Sequence, residues 1–203
     1  MNAQHAPVQV VLASASPRRR DLLAQIGLRF RTRCASVDER PRAGEAAGDY
    51  VLRLALAKAR AVCAAWPDAV PVLAADTVVE VDGDLLTKPA DREAGLAMLA
   101  RLSGRSHRVH SGVALISGAE ERQCLCTSTV WFRPLSPAER EAYWETGEPR
   151  GKAGGYAIQG RAAVFIRRLE GSYSGVMGLP LFETAELLRA AGIELFDSVE
   201  EQP

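Results

Sequence analysis

Residues 70–75 read Val-Pro-Val-Leu-Ala-Ala and stop abruptly at Asp76 and Thr77. An apolar run of this length, with no alternation to give it a wet face, predicts a central strand covered on both sides. A strand buried on both faces needs helices on both faces, so this one stretch points to an α/β architecture. The carboxylate that ends it is the sharpest single feature of the chain. Ligands in α/β sheets bind outside the carboxyl ends of the strands. Burying Asp76 there without a partner would cost on the order of several kcal/mol, so a cation or a hydrogen-bond donor must meet it. The competing reading is a structural aspartate capping the strand end.

A second constraint is Ala-Ser-Ala-Ser-Pro-Arg-Arg-Arg at 13–20, between an apolar run at 8–12 and an amphipathic segment carrying Leu22, Leu23 and Ile26. Ser16 is suited to an N-cap and Pro17 to the first helical position, which puts Arg18, Arg19 and Arg20 in the opening turn. Cations at a helix N-terminus oppose the macrodipole. Free N–H groups, small hydroxyl residues and guanidinium groups together make a cradle for phosphate; a solvated basic helix end is the alternative.

The remaining chain alternates strand and helix signals. A strand at 28–34 leads into a polar loop with the adjacent carboxylates Asp38 and Glu39, then a helix from 49 to 66 ended by Pro67. Val78, Val79 and Val81 resume an extended pattern, Asp82-Gly83 signals a hairpin, and a helix at 91–102 follows Lys88-Pro89. Strands at 106–117 and 121–133 form a hairpin through Gly118, and Ser136, Pro137 and Glu139 open a capped helix. A glycine-rich loop at 147–160, a strand at 164–169, a flexible loop at 171–180 and a helix at 181–191 complete the domain. Residues 1–7 read as a flexible leader, 8–196 as one domain and 197–203 as an acidic flexible tail.

Composition removes several function classes. The formal net charge of the 203 residues is zero, so no overall positive field holds nucleic acid or an anionic membrane. No run reaches the length of a membrane span and 1–7 lacks a signal-peptide core, which points to the cytoplasm. Cys34, Cys63, Cys124 and Cys126 fit no C-x-x-C spacing and read as reduced thiols. His107 and His110, three apart in a strand, point to opposite faces and argue against zinc. Walker A, dinucleotide and nucleophile-elbow signatures are missing.

Candidate chemistry therefore rests on Asp76, on Asp38 and Glu39 as oxygen ligands for Mg²⁺ beside a phosphate chain, and on Lys58 and Lys88 with Arg18 and Arg19 as phosphate partners. Each lysine alone reads equally as solvated surface.

Ordered pieces of the chain resemble the Maf-type nucleoside triphosphate pyrophosphatases: Leu-Ala-Ser-Ala-Ser-Pro-Arg-Arg at 12–19, Val-Asp-Glu at 37–39, Leu-Ala-Leu-Ala-Lys-Ala at 54–59, Ala-Asp-Thr-Val-Val at 75–79, Lys-Pro at 88–89, Lys-Ala-Gly-Gly-Tyr-Ala-Ile-Gln-Gly at 152–160 and Gly-Leu-Pro at 178–180. The resemblance implies a mixed, twisted α/β sheet flanked by helices, with two lobes around a cleft and related to the inosine triphosphate pyrophosphatases. It also implies a homodimer and hydrolysis of a nucleoside triphosphate to monophosphate and pyrophosphate with a divalent metal, Mg²⁺ or Mn²⁺. Asp76 would be the proton acceptor, Glu39 and Asp76 the metal-side carboxylates, and Ser14, Arg19, Lys58 and Lys88 the triphosphate partners.

Arg18, Thr77 and Gln159 match the subgroup acting on dTTP and UTP, along with modified pyrimidine nucleotides. The 7-methyl-GTP subgroup, with a tryptophan, a glutamine and a glutamate at those positions, is the alternative reading; a nucleotide-binding regulator of cell division is another. A glutamine amide at 159 can match the N3–H and O4 of uracil or thymine. Of the three arginines, Arg19 suits phosphate, Arg18 suits substrate discrimination and Arg20 faces solvent. Thr87 before the Lys-Pro pair and the acidic tail depart from the usual pattern.

Overall fold

The computed structural model describes residues 8–66 and 70–195. The expected leader, the acidic tail and Pro67 at the end of the second helix lie outside the described residues. In chain order the elements are β1 (Val10–Ala13), α1 (Pro17–Gln25), β2 (Phe30–Arg33), α2 (Ala47–Ala65), β3 (Val72–Val81), β4 (Asp84–Leu86) and α3 (Arg92–Leu102). They continue with β5 (Ser106–Ser117), β6 (Glu120–Phe132), α4 (Pro137–Glu145), β7 (Ile166–Glu170), α5 (Tyr173–Met177) and α6 (Leu181–Ala190). The strands form one mixed sheet in the order β2-β1-β3-β5-β6-β7, with β4 paired to β3. β1 is parallel to both β2 and β3, and the remaining pairs are antiparallel.

Period-two alternation sorts the side chains of this sheet. Val10, Leu12, Leu73, Ala75, Val113 and Leu115 meet Leu22 and Leu23 of α1 and Leu188 of α6. The intervening Val11, Ala13, Val72, Ala74, Ala114 and Ile116 meet Ala55, Ala59 and Val62 of α2. Helices thus cover both faces of β3, as its unbroken apolar run requires. α2 approaches closely because β5 carries Gly112 beneath it: a Cβ there would lie 2.7 Å from the backbone of Val51. A second core fills the far half of the sheet, where Val79, Leu86, Leu99, Leu102, Phe132, Tyr143 and Phe165 pack together. Its aromatic rings meet edge to face, Phe132 and Tyr156 with centroids 4.9 Å apart.

Local signals place most boundaries. Asp91 caps α3 by accepting from the Ala94 N–H, and Ser136 with Glu139 closes the capping box of α4. Val81 and Asp84 pair across Asp82 and Gly83, both with positive φ, as a two-residue hairpin turn needs.

Three expectations need correction. β3 is not interrupted at Asp76 and Thr77 but runs unbroken into the extended stretch at Val78–Val81, because β5 pairs with it from Val72 through Glu80. The strand that does stop there is β1, whose pairing with β3 covers only Val11↔Val72 and Leu12↔Leu73. Asp76 therefore lies inside a strand yet beyond the carboxyl end of its neighbour. The strand expected from 164 begins at Ile166, since Arg161–Phe165 forms a 3₁₀ turn that leaves Val164 exposed. The loop expected at 171–180 contains α5, capped by the Ser172 side chain on the Gly175 N–H.

Candidate active site

The two cores are separated by a band of polar residues on three adjacent strands, Asp76 and Thr77 on β3, Ser111 on β5 and Ser128 on β6, all with little or partial exposure. Over this band lies a cleft of about 720 Å³, lined by every candidate read from the sequence except Asp38: Ser14, Arg18, Arg19, Glu39, Lys58, Asp76, Thr77, Lys88 and Gln159. Strand alternation divides them. Asp76 shares the face of Val72 and Ala74, toward α2, whereas Thr77 shares the face of Leu73 and Ala75, toward α1.

On the α2 side the groups are charged. Lys58 Nζ donates to Asp76 Oδ1 at 2.6 Å and lies 2.6 Å from Glu39 Oε1, and Lys88 Nζ donates to Glu39 Oε2 at 3.1 Å. The result is an alternating chain Asp76–Lys58–Glu39–Lys88. Its inner pair is largely withdrawn from water, the Lys58 and Asp76 side chains being 14% and 12% exposed. Partial burial opposes ionisation of Glu39, but the Lys58 and Lys88 ammonium groups outweigh it and hold the carboxyl below its ordinary range. Tyr50 of α2 steadies the loop by donating to the Glu39 carbonyl at 2.9 Å. Its phenol is pushed up to about 12 by burial and by the nearby Asp76 and Glu39 charges.

On the α1 side the groups are hydroxyls and guanidinium ions. Arg18 Nε donates to the Met177 carbonyl at 3.2 Å and Arg19 Nε to the Gly178 carbonyl at 2.7 Å. The carbonyl end of α5 thus answers the cations at the start of α1. Burial lowers the pKa of both guanidinium groups, Arg19 being additionally favoured as a cation by Asp76. Arg19 also donates to Ser14 Oγ at 3.3 Å and to Thr77 Oγ1 at 3.2 Å. Ser14 Oγ accepts a second bond from the Ser16 N–H at 3.1 Å. With both lone pairs engaged, Ser14 has its proton left to offer the cleft. Ser16 caps α1 by backbone conformation alone, without a side-chain cap bond, and Arg20 is exposed.

Gln159 is exposed on the loop that closes the third side. Glu148 organises that loop, accepting from the Tyr143 hydroxyl at 2.6 Å and the Arg161 N–H at 2.9 Å. Lys152 on the same loop lines the cleft and was not among the residues picked from the sequence, although it opens the glycine-rich motif. Burial and the Arg18 charge both lower its pKa. Asp38 is not brought to the site. It pairs with Arg40 at 2.7 Å in solvent, because consecutive loop residues turn apart.

Glu39 and Asp76 offer hard oxygen donors of the kind a divalent ion takes, with the Lys58 ammonium 2.6 Å from each. No group of three or more His, Cys, Asp or Glu able to hold an ion occurs among the described residues. An ion here would complete its shell with phosphate oxygens and water, the habit of Mg²⁺ at nucleotide sites.

The Maf-like protein family profile matches residues 9–191. A protein named dTTP/UTP pyrophosphatase from Alkalilimnicola ehrlichii is 53% identical over 193 residues, covering 93% of this chain and 95% of that one. One of the same name from Methylococcus capsulatus is 50% identical over 190 residues, covering 94% of each. Among solved structures, a HAM1 protein from Coxiella burnetii aligns with a TM-score of 0.53 at 15% identity, over 91% of this chain and 100% of that one, a likeness of fold alone. From the profile spanning most of its length and from relatives matching half its residues, the chain belongs to the Maf-like protein family.

Proposed function

We propose that the protein hydrolyses dTTP and UTP, together with modified pyrimidine triphosphates, to the monophosphate and pyrophosphate, clearing such nucleotides from the cytoplasm. The observation that carries this reading is the pairing of Asp76 with Lys58 inside a cleft whose other wall is cationic. Water attacks the α-phosphorus, Asp76 accepts its proton, the bond from that phosphorus to the α–β bridging oxygen breaks, and pyrophosphate leaves. Lys58 orients the Asp76 carboxylate through its 2.6 Å hydrogen bond. Arg19, Lys88 and the Ser14 hydroxyl meet the phosphate oxygens as negative charge moves onto the leaving group.

A divalent ion, Mg²⁺ or Mn²⁺, bound by Glu39 and Asp76 would neutralise further phosphate charge. Arg18, Thr77 and Gln159 select the nucleotide. Relatives named for dTTP and UTP support this choice over 7-methyl-GTP, as does an arginine at 18, where a cationic methylated guanine would be repelled. A homodimer belongs to the same proposal, and sedimentation of the purified protein tests it.

The decisive experiment is a panel of nucleoside triphosphates with Mg²⁺ or Mn²⁺, measuring pyrophosphate and orthophosphate separately. Pyrophosphate from dTTP and UTP is expected; orthophosphate, or turnover of 7-methyl-GTP alone, would overturn the reading.

A further inference from the structure

We infer that Ser111 fixes Thr77 as a hydrogen-bond acceptor toward the cleft, so that the nucleotide must meet Thr77 with a donor, an imide N–H or a sugar hydroxyl. The inference rests on the nucleotide reading above and deepens it. Ser111 is a positioning residue; nothing in the sequence motifs marks it.

Thr77 and Ser111 face each other in register across β3 and β5, with hydroxyl oxygens 2.8 Å apart. Ser111 is 1% exposed, and its hydroxyl donates to the Gly175 carbonyl at 2.7 Å. A serine has one proton, so the contact with Thr77 must be made by the threonine proton. Were Ser111 to donate to Thr77 instead, its oxygen would lie 2.7 Å from a carbonyl oxygen with no proton between them.

Thr77 in turn accepts from Arg19 Nη2 at 3.2 Å. Its other inward contact, the Gly178 carbonyl, is at 3.5 Å and cannot compete with Ser111. The order is therefore Arg19 N–H to Thr77, Thr77 O–H to Ser111, Ser111 O–H to Gly175. One threonine lone pair remains, and Thr77 lines the cleft. Ser14 has the opposite polarity, since two donors use its lone pairs and its proton is left. Arg19 touches both hydroxyls, so one wall of the cleft offers a donor at Ser14, suited to phosphate, and an acceptor at Thr77, suited to a part of the nucleotide that carries hydrogen.

The backbone that closes the relay is tied to the same residues. Gly175 lies in α5, whose end holds Arg18 through Met177 and Arg19 through Gly178. Gly178 has φ +124, a conformation that disfavours a side chain, and a Cβ there would lie 3.6 Å from both Arg19 Nε and Thr77 Oγ1. Removing the Ser111 hydroxyl leaves this framework and frees the Thr77 proton to turn outward.

The test is equilibrium binding in EDTA, with no turnover required, for two ligand pairs. UTP against CTP changes the imide N–H to an acceptor, and dTTP against 2′,3′-dideoxythymidine triphosphate removes the sugar hydroxyl. Wild-type protein is expected to prefer the first member of one pair by about tenfold, the worth of one well-placed hydrogen bond, and the pair that responds identifies the donor. Ser111→Ala should reduce that preference to about twofold, and Ser111→Thr, which keeps the hydroxyl, should restore it.

A purely structural serine would instead weaken all four ligands alike. The inference is overturned if wild type shows no preference in either pair, or if Ser111→Ala leaves the preference intact. Should Ser111→Ala fail to fold, the wild-type pairs and Ser111→Thr still decide: loss of the preference in Ser111→Thr, or its absence in wild type, overturns the inference. Failure to hydrolyse dTTP or UTP would reject the pyrophosphatase reading, and these binding ratios would stand or fall independently.

Discussion

Within one step along β3 the cleft changes character. Asp76, toward α2, belongs to an ionic chain with Lys58, Glu39 and Lys88. Thr77, toward α1, belongs to a hydroxyl and guanidinium network with Arg19, Ser14 and Ser111. The first is built of carboxylates paired with ammonium groups; the second of fixed donors and acceptors about a guanidinium. Under the proposed function the proton acceptor belongs to the α2 side, while the α1 side would join nucleotide selection to part of the phosphate binding; period-two alternation is what puts adjacent residues on the two sides.

The largest expected effect is on the ionic side. Asp76→Asn should lower kcat for dTTP by about 10²–10⁴-fold with little change in KM, as loss of a positioned base does; an equal loss for every step of binding would blur the division. Lys58→Met should cost about 10²–10³-fold in kcat. It should also lower the melting temperature, because Asp76 would be left partly buried without its cation. Thr77→Val should do less to rate, raising KM about tenfold and relaxing nucleotide preference while kcat holds. If the two single substitutions gave the same kcat and KM pattern, the two faces would not be distinct.

A smaller effect concerns pH. The Glu39 carboxyl is held below its ordinary value, so its ionised form and its pairing with Lys58 and Lys88 are complete above the unperturbed range. They are lost only as pH falls through the depressed native value, below about 4.3, the ordinary glutamate value. Glu39→Gln should therefore flatten the acid limb of stability below that pH, followed by thermal melts across pH 3–6 at constant ionic strength.

The separation of the faces also depends on α2 resting on Gly112, which pairs with Asp76 in the sheet. Gly112→Ala would drive a methyl into the Val51 backbone, and about 1–3 kcal/mol of destabilisation is expected from denaturant unfolding.

The sequence carried much of this organisation. The apolar run before Asp76 announced a strand covered on both faces, and the capping box at Ser136 placed one helix start. The candidate residues other than Asp38 line one cleft. What stayed hidden depended on contacts between distant segments. Asp76 looked like a strand end because its own strand turns polar there, while the strand that ends is β1, over sixty residues earlier in the chain. Asp38 and Glu39 looked equivalent, and only the packing of the loop against Tyr50 and Lys58 separates them. α5 was invisible because its five residues include a glycine and carry no periodic apolar pattern. The polarity of Ser14 and Thr77 could not be read at all, since it is imposed by Arg19, Ser111 and backbone carbonyls reached through the fold.

The central claim is that Asp76 directs water onto the α-phosphorus. Hydrolysis of dTTP in ¹⁸O-labelled water, with both products analysed by mass, tests it most directly. One labelled oxygen is expected in thymidine monophosphate and none in pyrophosphate, with Asp76→Asn suppressing the labelling rate. Label in the pyrophosphate or in orthophosphate would contradict it.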